Sequence, residues 1–155
     1  MNKLNKVEDR AENRIEIRTL GIADYEAVCQ VWAASGIHFQ TTGRESYESF
    51  SRQMASGLQA VFGAMHDDRL VGVVVVTHDG RKGWVNRLGV VPEYQRRGIG
   101  TRLVKVAEDH IHAQGLEIVA ALIEHGNDAS LSMFERAGYL VHNVYYVSKR
   151  DHPNA

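Results

Sequence analysis

The stretch Leu88-Gly89-Val90-Val91-Pro92-Glu93-Tyr94-Gln95-Arg96-Arg97-Gly98-Ile99-Gly100-Thr101 reads as a strand end, a turn and a helix start. The strand begins near Trp84, and Pro92 stops it because proline cannot donate to a ladder. From Gly98 the period changes: Ile99, Leu103, Val106, Ala107 and Ile111 fall on one helical face, and Gly115 closes the helix. A junction of this kind aims unpaired backbone N–H groups and the positive end of a helix dipole at one point, where phosphate binds. Gly98 and Gly100 let the backbone approach an anion, Thr101 adds a hydroxyl, and Arg96 and Arg97 add charge. Two familiar phosphate loops do not fit. No lysine follows Gly100, and Leu103 stands where a dinucleotide fingerprint needs a third small residue.

Working outward, Ile15 and Ile17 alternate as in a strand, and Ile22, Tyr25, Val28, Cys29 and Trp32 form a helical stripe. Residues 35–43 lack periodicity, whereas Tyr47, Phe50 and Met54 return at helical spacing up to Gly57. Residues 59–66 and 69–78 are strand-like around an Asp67-Asp68 turn, so with residues 84–91 they predict three antiparallel strands in succession. Residues 116–123 are almost continuously apolar, the pattern of a strand covered on both faces. Asn127 suits the cap of a second helix through Arg136, with Leu131 and Phe134 inward and Gly138 at its end. Residues 139–148 supply the material for a last strand. The order β-α-α-β-β-β-α-β-α-β predicts an α/β fold: a mixed, mostly antiparallel sheet flanked by about four helices. The strands on either side of the Gly98 helix need a crossover, which makes them parallel neighbours.

A chain of 155 residues, 44% of them hydrophobic, suits one domain, expected over residues 14–150 between a flexible segment at 1–13 and a tail at 151–155. A formal charge of −1 from interspersed residues gives no field for nucleic acid or anionic lipid. No segment resembles a signal peptide or a membrane span, so the expected location is cytoplasmic. The single cysteine, Cys29, falls on the core stripe, and nothing has the spacing of a metal site.

Gln95-Arg96-Arg97-Gly98-Ile99-Gly100, preceded by Leu88-Gly89-Val90-Val91-Pro92, resembles the cofactor motif of the GNAT superfamily of acetyl-CoA-dependent N-acetyltransferases. Asn127, Ser130, Phe134 and Ala137-Gly138-Tyr139 look like that family's second block. The resemblance implies a sheet splayed into a V after residues 91 and 123, with acetyl-CoA as co-substrate in the gap and no metal. Leu88 and Val90 would bind the pantetheine through their backbones, with the Val90 N–H near the thioester carbonyl. Residues 95–101 would hold the pyrophosphate, Asn127 would reach the pantetheine end, and Phe134 would pack beside the sulfur. Gly89 is read as the site of a strand bulge, since isolated strand glycines often mark one.

Acetyl transfer needs a neutral amine, yet a lysine-like amine has a pKa of about 10, so a base is required. The strand at 84–91 carries no carboxylate where relatives often place a glutamate, and Glu124, at the end of the neighbouring strand, becomes the candidate. Many relatives donate a proton to the departing thiolate from a tyrosine, but this sequence has Phe134 there, so either water or another group serves or the thiolate leaves unprotonated. The acceptor, a small-molecule or peptide amine, would meet residues 35–43 with Arg44 and Glu45. An acyl-CoA-binding sensor without turnover is the alternative reading. Relatives usually end in a hairpin, but residues 139–149 hold no hairpin signal, which leaves one sheet edge open for a partner subunit; a homodimer is expected.

Overall fold

The computed structural model describes residues 14–153; the segment at 1–13 and the last two residues of the tail lie outside the described residues. The alternating Ile15 and Ile17 form strand β1 (Ile15–Thr19). A 3-10 turn at Ile22–Asp24 then leads into helix α1 (Tyr25–Ala34), which buries Tyr25, Val28, Val31 and Trp32. Helix α2 (Tyr47–Ala55) starts at Ser46, whose hydroxyl accepts from the Ser49 N–H, and it buries Phe50. Strands β2 (Gln59–His66), β3 (Arg69–His78) and β4 (Gly83–Val90) follow as antiparallel neighbours, with Asp67 at φ 51° in the first turn. Helix α3 (Ile99–Ala113) crosses over to β5 (Val119–Ala121), and helix α4 (Asp128–Arg136) follows.

The sheet order is β1-β2-β3-β4-β5, with only β4 and β5 parallel, as the crossover requires. Strand β3 lies at the centre, and Val71 and Val73 to Val76 are all buried. The helices cover its two faces separately. A Cβ added at Gly72 would meet Leu103 and Ile99 of α3, whereas one added at Gly89 would meet Ser35 and Ile37, just beyond α1. Each of these valines stabilises the fold by about 1.5–3 kcal/mol relative to exposure, so β3 is the strand that ties both layers together. Cys29 is half-buried beside this core, and burial pushes its thiol pKa up, which suits packing rather than nucleophilic attack.

The structure corrects the expectations for the C-terminal third. Residues 116–123 do not form one covered strand: only Val119–Ala121 pair, all half-buried, while Ile118 and Leu122 are exposed. Among the described residues no strand follows α4, so residues 139–148 are not paired, and Tyr145 is 97% exposed. In both places an apolar run without periodicity reports the wish for a covering surface, and the described residues do not supply one.

Candidate functional site

Strand β5 pairs with β4 only from Gly83↔Val119 to Val85↔Ala121, and β4 then runs on from Asn86 to Val90 without a strand on that side. The two strands diverge there. The Val91 N–H donates to Val71 O on β3, so by the alternation of an antiparallel ladder the N–H and C=O of Val90 point to the opposite, open side. The Gln95 side chain confirms that direction, since its Nε2 donates to Val90 O at 2.8 Å. By the same alternation the Leu88 backbone faces the gap.

The bulge that turns this edge outward is not at Gly89. Val73 pairs with Gly89 and Val75 with Asn86, so Val74 opposes both Arg87 and Leu88, and Arg87 takes the left-handed φ of 45°. Glycine at 89 answers a different need. A Cβ there would collide with Ser35 Oγ and lie 2.8 Å from Ile37 Cδ1, so the residue lets the loop after α1 approach the strand.

Sequence reasoning missed the group that holds the bulge. Arg87 Nη2 reaches Glu45 Oε1 at 2.5 Å, its Nη1 donates to His38 O at 3.1 Å, and its guanidinium lies 5.2 Å from the Trp32 ring centre. Glu45 is buried, 8% exposed. It also accepts from Arg44 Nε at 2.7 Å and from the Gln40 N–H at 3.3 Å, while the Tyr25 hydroxyl donates to its carbonyl at 2.6 Å. With its oxygens thus engaged, Glu45 positions the loop at 35–43 over the splayed strand. Its signal was a lone carboxylate in an aperiodic loop, and only tertiary contact distinguishes that from a solvated one.

Beyond Val91, Pro92–Tyr94 make a 3-10 turn, and Arg96 (φ 61°) and Gly98 (φ 77°) adopt left-handed conformations that swing the chain into α3. No side chain caps this helix, so its first N–H groups keep no intrahelical partner. Gln95, Arg96, Arg97, Gly98 and Thr101 are all exposed around that end, while Ile99 is buried as the helix anchor. The Arg97 guanidinium rests 5.0 Å from the Tyr94 ring centre. Gly100 also has a packing role. A Cβ there would meet Met133 Sδ of α4 at 3.1 Å, so this glycine sets the spacing of α3 and α4.

Asn127 caps α4, its Oδ1 accepting from the Ser130 N–H at 3.2 Å. Phe134 is buried and meets Tyr139 edge-on, ring centres 4.9 Å apart. Burial, with the Glu108 carboxylate adding to it, raises the Tyr139 pKa and keeps the phenol neutral. Glu124 is exposed in the turn after β5, where its carbonyl accepts from the Asn127 N–H at 3.1 Å.

Residues 25–139 match the model of the acetyltransferase (GNAT) family. The chain belongs to the GNAT acetyltransferase family. Its fold agrees with solved GNAT structures of low sequence identity. The PaiA N-acetyltransferase of Thermoplasma acidophilum, solved with coenzyme A, is 24% identical with a TM-score of 0.75 over 85% of this chain and 93% of that one. An aminoglycoside 6'-N-acetyltransferase of Acinetobacter baumannii is 15% identical, TM-score 0.73, over 90% and 100%. The ribosomal-protein-S18-alanine N-acetyltransferase of Escherichia coli is 17% identical, TM-score 0.69, over 81% and 77%. The GNAT fold therefore spans the V between β4 and β5 and the turn into α3. Among the described residues no helix of this GNAT chain is long and apolar enough to cross a membrane.

Proposed function

We propose that this chain is an N-acetyltransferase that moves the acetyl group of acetyl-CoA onto a primary amine by direct attack in a ternary complex, without metal, in the cytoplasm, as a homodimer. The observation that carries this reading is the β4 edge: backbone groups of Leu88 and Val90 face an open gap that leads directly to the uncapped, arginine-flanked start of α3. That geometry fits the parts of acetyl-CoA in order. The edge suits the amides of the pantetheine, and the exposed N–H groups at residues 98–101 with Arg96 and Arg97 suit the pyrophosphate. The thioester supplies an activated acetyl carbon. The Val90 N–H stabilises the charge that grows on its oxygen, while Glu124, exposed beyond β5, takes the proton of the incoming amine directly or through water. Asn127 and Phe134 frame the sulfur-bearing end from α4, and water protonates the thiolate.

The acceptor meets the loop at 35–43, which Arg87 and Glu45 hold in place. Solved relatives are named for amines as different as aminoglycosides and a ribosomal-protein alanine, which supports an amine acceptor and leaves its class to experiment. Titration calorimetry with acetyl-CoA, followed by CoA release over a panel of aminoglycosides, polyamines, amino acids and peptides, tests the reading. Absence of acetyl-CoA binding removes it. Binding without turnover on any amine favours the acyl-CoA sensor, a reading supported by the buried Phe134 standing where relatives carry a phenol.

A further inference from the structure

On β4 the side chains divide between two helix layers. A Cβ at Gly83 would collide with Ile111 of α3, so alternation turns Trp84 and Asn86 to the other face, where Gly89 meets Ser35 of the loop after α1. On that face Asn86 Nδ2 donates to Thr77 Oγ1 at 2.8 Å, and Gln59, paired with Thr77, lies beside them with its buried Nε2 unpartnered among the described residues. This floor is polar and uncharged. Charge stands at its two ends: Lys82 rests 4.6 Å from the Trp84 ring centre at one, and Arg87 with Arg44 occupies the other. The carboxylates beside these cations are already taken. Asp79 accepts from the Arg81 and Lys82 N–H groups at 2.8 and 2.9 Å, and Glu45 Oε1 is shared by both arginines.

Arg44 is the cation with donors left over. Glu45 binds its Nε alone, Gln53 Nε2 holds its carbonyl at 2.9 Å, and among the described residues no partner takes either Nη. Arg87, by contrast, uses Nη1 on His38 O and Nη2 on Glu45. Two guanidinium groups on one carboxylate leave a positive charge in excess beside the loop at 35–43. We propose that the acceptor is an amine that also carries a carboxylate, as an amino acid or a short peptide does, and that the two Nη groups of Arg44 hold that carboxylate. A fork pinned at Nε, on a side chain 60% exposed, keeps both outer nitrogens for a bidentate contact with a planar anion. The same charge pattern tells against polycations. An aminoglycoside or a polyamine brings several ammonium groups, and this face has no unpaired carboxylate for any of them, while Glu124 beyond β5 is committed to the one amine that reacts. The inference rests on acetyl transfer as proposed above and narrows its acceptor.

CoA release from acetyl-CoA, measured with the full chain over matched acceptors, tests it. The panel holds α-amino acids, ω-amino acids and dipeptides, each beside its C-terminal amide, with spermidine and an aminoglycoside as the polycations; the three acid series separate a free amino acid from a peptide end. Referred to the neutral amine, kcat/KM is expected to fall roughly 10–10²-fold when the carboxylate becomes an amide, the range of a charge-assisted pair, and to be lowest for the polycations. Arg44→Gln is expected to raise KM for the carboxylate acceptors by the same factor, with kcat and acetyl-CoA affinity kept, and to leave the amides unchanged; Arg44→Lys should recover part of the loss. An arginine that only held the loop would lower both acceptor sets alike. Product binding gives a reading without turnover: calorimetry of the CoA-saturated chain should detect N-acetyl amino acids and not their amides. Equal rates for acid and amide, faster turnover of polycations, or an Arg44→Gln loss shared by both sets would overturn the proposal, as would acetyl-CoA binding with neither turnover nor product binding from any carboxylate. Absence of acetyl-CoA binding would instead remove acetyl transfer itself, and the proposal with it.

Discussion

The Arg87 guanidinium joins a left-handed bulge, a buried carboxylate, a loop carbonyl and an indole face. Arg87→Ala leaves Glu45 buried with Arg44 as its remaining cation. A fully buried pair broken on one side costs roughly 3–5 kcal/mol, and the retained Arg44 brings the expected loss to about 2–3 kcal/mol. Urea unfolding should show a lower midpoint at an unchanged slope, and a midpoint equal to the parent's would mean that the bulge holds without its arginine. Glu124 is a different kind of glutamate. It is exposed, so Glu124→Gln should leave stability within about 0.5 kcal/mol while lowering turnover roughly 10²-fold if it acts as the base. Parental turnover across pH in that variant would return the residue to the solvent and leave water as the proton acceptor.

At the scale of elements, the start of α3 separates two uses of glycine. Gly98 sits at φ 77° with nothing within 4 Å of an added Cβ, so Gly98→Ala is penalised by conformation alone, by about 1 kcal/mol. Gly100 is helical, and a side chain there presses on Met133 of α4. Gly100→Val should therefore weaken acetyl-CoA binding by displacing α4 as well as by any crowding of the phosphates. Calorimetry on Gly100→Val with and without Met133→Ala divides the two causes: recovery of affinity in the double variant assigns the loss to helix spacing, and no recovery assigns it to the anion site.

For the whole molecule, the tyrosines that lock loop to core also set its alkaline limit. Burial pushes the Tyr25 phenol up to about 12, and its hydroxyl donates to the Glu45 carbonyl. A folded pKa raised above the unfolded value of about 10 contributes stability that is complete below pH 10 and lost as pH rises through 12. Tyr139, shifted in the same direction, adds to that loss. Thermal unfolding between pH 9 and 12 should fall more steeply in the parent than in Tyr25→Phe, although the variant starts lower for want of its hydrogen bond. Parallel curves would show that Tyr25 titrates as if it were in solvent.

Local chemistry made the strand into Val91, the Pro92 stop, the Gly98 helix start and the Asn127 cap legible from residues alone. Each depends on φ limits, missing donors or periodicity within a few positions. The parallel β4–β5 pair was legible too, because a crossover through α3 permits little else. Tertiary structure alone decided that the bulge lies at Arg87 and Leu88, that Gly89 makes room for Ser35, that Gly100 spaces α4, and that Glu45 is buried. Each of those facts is a contact between residues far apart in sequence. The apolar runs at 116–123 and 139–148 show the boundary most clearly. Their composition asks for cover on both faces, but composition does not say which chain provides it. That depends on where the chain after the last helix lies relative to the open edge, a matter of position in space that no local pattern encodes.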